Sequence, residues 1–200
     1  MRKLPKGAFF FGTMLKVFLQ KKFNLSDLAW QALELKLVYK QYEKNAFVLK
    51  ENSVSNFMYF IEKGCVRAFY NTEEKEQTTW FALENDFFCS YYSFLTRSVS
   101  AENIQCLEDC TFVGISHDNL YELYSQHIEI EKMGRIIGEQ YYIRLEERLI
   151  HIQYQSARDR YSWLFNNKPY LFQRINLGYI SSYLGISQET LSRIRAQKIL

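Results

Sequence analysis

The sequence predicts an α+β fold: an N-terminal antiparallel β-roll of the jelly-roll type, one long helix, and a small helical module ending in a helix-turn-helix. Three observations predict it. Between Tyr39 and Ser116 short β-rich segments alternate with turn residues. From about Glu129 to Gln155 a proline-free stretch carries helical apolar periodicity. After Ala157 the chain breaks into three short helical patterns around Asn167-Lys168-Pro169.

The first segment, Met1 to Gly12, reads basic and then apolar (Ala8-Phe9-Phe10-Phe11). It superficially suggests a secretory leader. The apolar run is short, Lys16 interrupts it, and no small-x-small cleavage pattern follows, so a cytoplasmic protein is expected. No stretch reaches the roughly 18 apolar residues that span a bilayer, so no membrane partner is expected. Residues 1–24 are taken as an N-terminal extension and lead-in. Ser26 to Leu37 predicts a helix, with Ser26 able to cap it and Leu28, Ala29, Ala32, Leu33 and Leu37 near one face.

The strand candidates are Phe47–Lys50, Phe57–Ile61, Val66–Tyr70, Thr78–Leu83, Ile104–Leu107 and Thr111–Ile115. Turn chemistry separates them: Lys44-Asn45, Glu51-Asn52-Ser53, Lys63-Gly64, the polar tip Asn71–Gln77, and Glu84-Asn85-Asp86. Many short strands at even spacing suggest a small barrel or jelly roll. Aromatics make up 17% of the chain, enough large side chains to fill such a core. The cysteines Cys65, Cys89, Cys106 and Cys110 form no CxxC pair and have no histidine at zinc spacing. They read as buried reduced thiols.

Asp118 to Gln126 predicts a short helix. In the long helix that follows, Met133, Ile137, Tyr141, Leu145 and Leu149 recur every fourth residue, and Ile136, Ile143 and Ile150 every seventh. Two apolar stripes require cover on two sides. One side can lie on its own β-domain. A second copy of the same helix is the simplest cover for the other. At about 1.5 Å per residue the helix is about 40 Å long, unusual for a small core.

The last three helices are expected at Ala157–Asn166, Leu177–Leu184 and Ser187–Lys198, with the domain boundary near Gln155. Gly185 supplies a positive-φ turn. Ile180, Leu184, Ile186, Leu191 and Ile194 have the spacing to pack the pair, and Ser181 is small where the helices approach. Ser187 caps the second helix, with Thr190 in its first turns. Gln188, Glu189, Ser192, Arg193 and Arg195 then face outward. Arg suits guanine, Gln adenine, and Glu the amino group of cytosine. From His151 to Leu200 the charged residues Arg158, Arg160, Lys168, Arg174, Arg193, Arg195 and Lys198 stand against Asp159 and Glu189, a net +5, while the other 150 residues net −2. A basic terminal module on a near-neutral body is the footprint of a polyanion binder.

The segment Ile186-Ser-Gln-Glu-Thr-Leu-Ser-Arg-Ile194 resembles the recognition helix of the Crp/Fnr-type transcription regulators. Tyr59-Phe-Ile-Glu-Lys-Gly64, Asp86-Phe-Phe88 and Ile115-Ser116 extend the resemblance from about Leu25 onward. Phe94-Leu-Thr-Arg97, Glu102-Asn-Ile-Gln105 and Tyr142-Ile-Arg-Leu-Glu-Glu-Arg148 are similar to a branch common in Bacteroidetes. The resemblance implies a cyclic-nucleotide-binding-type β-roll (25–127), a dimerisation helix (128–155) carrying the stripe Met133, Ile137, Tyr141, Leu145 and Leu149, and a DNA-binding module (156–200). It assigns base contacts to Gln188, Glu189 and Arg193. Backbone contacts are expected from Ser187, Thr190, Ser192, Arg174, Arg195 and Lys198. Implied partners are duplex DNA and a second copy of the chain, with RNA polymerase a further candidate.

The sequence departs from the family in four places. Nucleotide-binding members hold the ribose with a carboxylate and the cyclic phosphate with an Arg about ten residues later. Aligned on Phe88, these positions are Ser90, within Cys89-Ser90-Tyr91, and Ser100, within Ser100-Ala101. A buried phosphate without a cation loses its charge-assisted bonds, so cyclic AMP control is not expected; Arg97 is the nearby cation that could swing in. The effector pocket, degenerate in this sense, comprises Phe88, Cys89, Ser90, Tyr91, Ser100 and Ala101; no cofactor is predicted and the effector is unknown. Family turns carrying Gly have Asn45, Asn52 and Asn85 here, and Asn tolerates left-handed backbone best after Gly. A reduced or absent wing is expected after the last helix. Met14 resembles the usual family start, leaving residues 1–13 as an extension.

The expected function is sequence-specific DNA binding by a homodimer on a pseudo-palindromic site. The alternative is a ligand-sensing or protein-interaction module of the same fold that no longer binds DNA. The histidines His117, His127 and His151 are scattered without a nucleophile or carboxylate cluster, so no enzyme is expected.

Overall fold

The structure, a computed structural model, describes residues 8–197. Lys198, the wing expectation and the first seven residues of the extension lie outside the described residues. The helices are α1 (Ala8–Phe23), α2 (Asp27–Glu34), α3 (Tyr91–Thr96), α4 (His117–Gln126), α5 (Ile128–Tyr154), α6 (Ala157–Asn167), α7 (Leu171–Arg174), α8 (Leu177–Leu184) and α9 (Gln188–Gln197). The strands are β1 (Val38–Tyr42), β2 (Phe47–Leu49), β3 (Phe57–Lys63), β4 (Val66–Asn71), β5 (Glu76–Ala82), β6 (Phe87–Phe88), β7 (Asn103–Cys106) and β8 (Cys110–Ser116).

The strands form two four-stranded sheets, β1-β8-β3-β6 and β2-β7-β4-β5, the expected roll. The turn logic is visible in the backbone. Asn45, Asn52 and Asn85 stand at φ of 70°, 64° and 69°, the left-handed region where Asn is tolerated without the Cβ penalty of most residues. Strand β3 is buried on both faces. Phe57 and Tyr59 stack on one another, and Tyr59 continues onto Phe88. Met58 and Phe60 face the helices. A strand covered on both sides reads as an unbroken apolar run, so β3 was legible as a strand despite its missing alternation.

Strand β1 was not expected. Its centre, Tyr39-Lys40-Gln41, is exposed, which hides the apolar signal. Its place comes from a five-residue antiparallel ladder, Val38↔Gly114 to Tyr42↔Cys110, and the ladder is a tertiary contact. Helix α3 is six aromatic-rich residues that read equally as strand, and α7 is a single turn; neither was expected.

Backbone contacts divide the chain into two compact units. One holds residues up to Arg67 with Phe81–Gly138; the other holds Ala68–Trp80 with the chain from Glu139 onward. The division by contacts falls inside α5 and gives most of the β4–β5 hairpin, Ala68–Trp80, to the second unit. The core of the first unit joins Leu15 and Leu19 of α1, Trp30 and Leu33 of α2, Phe60, Phe94, Val113, Ile115, Leu120 and Leu123 with Ile130, Met133 and Ile137 of α5. Burying each large side chain contributes about 1.5–3 kcal/mol. Met133 and Ile137, two of the five residues of the expected dimerisation stripe, are 5% and 7% exposed, buried in the first unit's own core.

Candidate nucleic-acid interface

In the second unit α6, α8 and α9 pack together. Tyr161 and Leu164 of α6, Ile180, Ser181 and Leu184 of α8, and Leu191 and Ile194 of α9 are buried between them; Ile186 is half-buried. The turn between α8 and α9 closes as a Schellman arrangement. Gly185 sits at φ 67°, ψ 38°. Its N–H donates to the Ser182 carbonyl at 3.1 Å, and the Ile186 N–H donates to Ser181 at 3.0 Å. Glycine adopts this left-handed backbone most readily, with Asn next. The Ser187 hydroxyl accepts from the Thr190 N–H at 3.1 Å and lies 3.0 Å from the Thr190 hydroxyl, so it is the N-cap of α9. The Asn176 side chain caps α8 by accepting from the Gly178 N–H at 2.7 Å, a cap the sequence reading missed.

With Leu191 and Ile194 turned inward, Gln188, Glu189, Ser192, Arg193 and Arg195 are exposed along α9. The geometry therefore brings the three expected base-reading residues to one outward helix face. Gln188 lies across the start of α8: a Cβ on Gly178 would fall 2.9 Å from the Gln188 Nε2. Arg174 is half-buried at the end of α7.

The other end of α8 is held by groups the sequence reading did not single out. The last carbonyls of a helix have no partner within it. Here the Arg160 Nε donates to Leu184 at 2.8 Å, and Arg148 Nη2 donates to Tyr183 at 2.7 Å. Gln77 Nε2 donates to the carbonyl of Ser182. Arg148 also lies 4.0 Å from the centroid of the Tyr183 ring. Burial lowers the Arg148 pKa from its ordinary value. Two guanidinium groups thus face the negative end of the helix dipole. His151 packs on Trp163 with ring centroids 4.4 Å apart, and burial lowers its pKa.

On α5 beyond Gly138 the apolar side chains are uncovered. Tyr142, Ile143, Leu145, Leu149 and Ile150 are each between 46% and 63% exposed, and Tyr141 is half-buried. Of the expected stripe, Leu145 and Leu149 are therefore available to a partner.

The β-roll holds an open cavity of about 140 Å³, lined by Val48, Leu49, Val54, Ser55, Asn56, Phe57, Tyr59, Phe88, Cys89 and Ile104. Of the six candidate pocket residues, Phe88 and Cys89 are in its wall, and Ser90, Tyr91, Ser100 and Ala101 are not. Ser90 and Ser100 are 3% and 1% exposed, and their hydroxyls hydrogen-bond at 3.0 Å. Ser100 Oγ also donates to the Glu102 carbonyl at 2.9 Å and accepts from its N–H at 3.1 Å. The two positions satisfy each other instead of facing a ligand. Ala101 is exposed and Tyr91 half-buried. Arg97 does not swing in. It donates to the carbonyls of Ser55 and Phe94 at 2.9 and 3.1 Å and to Asn56 Oδ1 at 2.6 Å. Burial, then the Glu102 charge, pushes the Cys89 thiol up, so it stays protonated. Ser90 and Ser100 offer a cyclic nucleotide no charged partner, and Arg97 is held by its own bonds to Ser55, Asn56 and Phe94, so these residues do not fit a cyclic phosphate.

All four cysteines are free and buried. Among the described residues no cluster of three His, Cys, Asp or Glu side chains could hold a metal, and no helix is long and apolar enough to cross a membrane.

Residues 39–127 match the cyclic nucleotide-binding domain family. The chain has the fold of the Crp/Fnr-type transcription regulators. It is similar to FixK2 of Bradyrhizobium japonicum, at 16% identity over 80% of this chain and 83% of that one, with a TM-score of 0.70. It is also similar to a Crp/Fnr-family transcriptional regulator of Eubacterium rectale, at 15% identity over 90% and 86%, TM-score 0.69. A third relative is the c-di-GMP-responsive global regulator CLP of Xanthomonas campestris, at 14% identity over 86% and 91%, TM-score 0.68. No curated protein matches the sequence.

Proposed function

We propose that this chain is a sequence-specific DNA-binding transcription regulator that acts as a homodimer and is not controlled by cyclic AMP. The observation that carries the reading is the outward face of α9. Gln188, Glu189, Ser192 and Arg193 stand exposed on a helix whose opposite face, Leu191 and Ile194, is locked into the module. In a helix-turn-helix this second helix enters the major groove with its N-terminal residues on base edges. Gln188 and Arg193 offer bidentate donors to adenine and guanine, and Glu189 accepts from cytosine. Arg195 adds a phosphate contact at the rim, and Arg174 and Lys198 are proposed to do the same.

The uncovered face of α5, with Leu145 and Leu149 at its centre, supports pairing with a second copy. Two recognition helices related by a two-fold axis would read half-sites about one helical turn apart. The Ser90 and Ser100 hydrogen bond supports independence from cyclic AMP.

Selection from a random-sequence duplex library tests the reading. Enrichment of a pseudo-palindrome by the full chain is expected. A chain that enriches nothing, while folded and dimeric, contradicts DNA reading and leaves a sensor or protein-interaction module in its place.

A further inference from the structure

The second unit contains a connection that the functional reading does not use. The β4–β5 hairpin reaches α8 through strand β5. The Thr78 N–H donates to the Ser182 hydroxyl at 2.9 Å. That hydroxyl donates in turn to the Glu76 carbonyl at 2.9 Å. Gln77 Nε2 donates to the Ser182 carbonyl. Arg148 bridges from α5, donating to the Tyr183 carbonyl at 2.7 Å and to the Thr78 carbonyl at 3.4 Å. One residue of α8, Ser182, therefore receives three consecutive residues of β5, and one arginine touches both sides.

We propose that Ser182 and Arg148 are positioning residues: they clasp α8 to strand β5 and so fix the orientation in which α9 is presented to DNA. The chemistry favours this over a chance surface contact. Helix α8 is eight residues long, and all three of its last carbonyls are taken by side chains from outside it. The clasp leaves Gln188, Glu189 and Arg193 exposed, so it holds the reading face out and does not cover it. Neither Ser182 nor Arg148 lies on that face, so each acts through α8. A bound reading helix that is already ordered avoids part of the entropy cost of ordering on DNA. Loss of the clasp therefore weakens binding without changing which bases are preferred.

The inference rests on the DNA-binding reading, and two readouts separate them. The first is hydrogen exchange of the Thr78 amide in the full chain, without DNA. Ser182→Ala removes its acceptor and is expected to speed exchange roughly 3- to 10-fold, the equivalent of one ordinary hydrogen bond. Ser182→Thr, which keeps the hydroxyl, is expected to restore it. The second is affinity for the selected duplex. Ser182→Ala, and separately Arg148→Met, are expected to weaken it roughly 3- to 10-fold, with the same base preferences. Unchanged exchange overturns the clasp. Faster exchange with unchanged or tighter DNA binding, or altered base preferences, overturns positioning. Should the parent chain select no sequence, the DNA-binding reading fails instead. Exchange in Ser182→Ala then decides the clasp alone, with acceleration supporting it and no change refuting it.

Discussion

The Ser90 and Ser100 hydroxyls hydrogen-bond to one another at 3.0 Å inside the β-roll, both side chains almost fully buried. In nucleotide-binding members of the resembled family these positions carry a carboxylate and an arginine. Here they are two neutral hydroxyls: they bond to one another, and Ser100 also bonds to the Glu102 backbone. Calorimetric titration with cyclic AMP is therefore expected to show no saturable heat, up to millimolar ligand. Micromolar binding would contradict the assignment. Ser90→Ala is expected to lose only about 0.5–1 kcal/mol in denaturant unfolding, because Ser100 keeps its two bonds to the Glu102 backbone.

Arg193 and Arg195 sit two residues apart on α9, both exposed, and should fail differently. Arg193→Ala is expected to cost about 1–3 kcal/mol on the best site and to relax preference at one base position. Arg195→Ala is expected to weaken all sequences alike and to reduce the salt dependence by about one phosphate contact. Fluorescence anisotropy on matched and single-mismatch duplexes distinguishes the two.

Gly185 is a backbone requirement. A Cβ there meets only Ile152 Cδ1 at 3.6 Å, an ordinary contact, while φ is +67°. Gly185→Ala is thus expected to destabilise the module by about 1–2 kcal/mol through conformation alone. Gly185→Asn should lose less. Thermal unfolding followed by circular dichroism reads both.

Leu149 and Met133 occupy the same sequence stripe but different surroundings. Leu149 is 54% exposed and Met133 5%. Leu149→Glu is expected to shift the chain from dimer to monomer in sedimentation with its fold intact. Met133→Ala is expected to cost about 2–5 kcal/mol of stability, because it opens a cavity in the chain's own core.

Glu62 on β3 is 7% exposed, and among the described residues neither of its carboxylate oxygens has a hydrogen-bond partner. Burial pushes its pKa up to about 7. Its folded pKa lies above the ordinary carboxylate value, so the proton is bound more tightly in the folded state. The resulting stability is present below about pH 4.5 and is lost as pH rises through 7. Glu62→Gln is expected to unfold at a higher temperature than the parent chain at pH 8, with the gap closing at pH 5. Equal gaps at both pH values would rule out the buried carboxylate as the cause.

The parts of this molecule that local chemistry encodes were legible in the sequence. Asn45, Asn52 and Asn85 marked left-handed turns, Ser26 and Ser187 marked helix starts, and Gly185 with its flanking apolar residues marked the helix pair. What stayed hidden depends on contacts between distant segments. Strand β1 is exposed at its centre and is a strand only because β8 pairs with it. The stripe on α5 looks uniform in sequence, yet the first unit covers Met133 and Ile137 and leaves Leu145 and Leu149 bare. Arg148 and Ser182 look like ordinary polar positions until Thr78, some 70 and 104 residues away, is brought against them. The pocket illustrates the same limit. Alignment located Ser90 and Ser100 but could not show that they face each other.

In the proposed function, two copies of α9 read duplex DNA through Gln188, Glu189 and Arg193. Base-resolved footprinting of the full chain on its selected duplex tests it most directly. Two protected major-groove patches related by a two-fold axis are expected, about 10 base pairs apart centre to centre, with one position in each patch lost in Arg193→Ala. A single patch, protection confined to the minor groove, or a footprint unchanged by Arg193→Ala would contradict it.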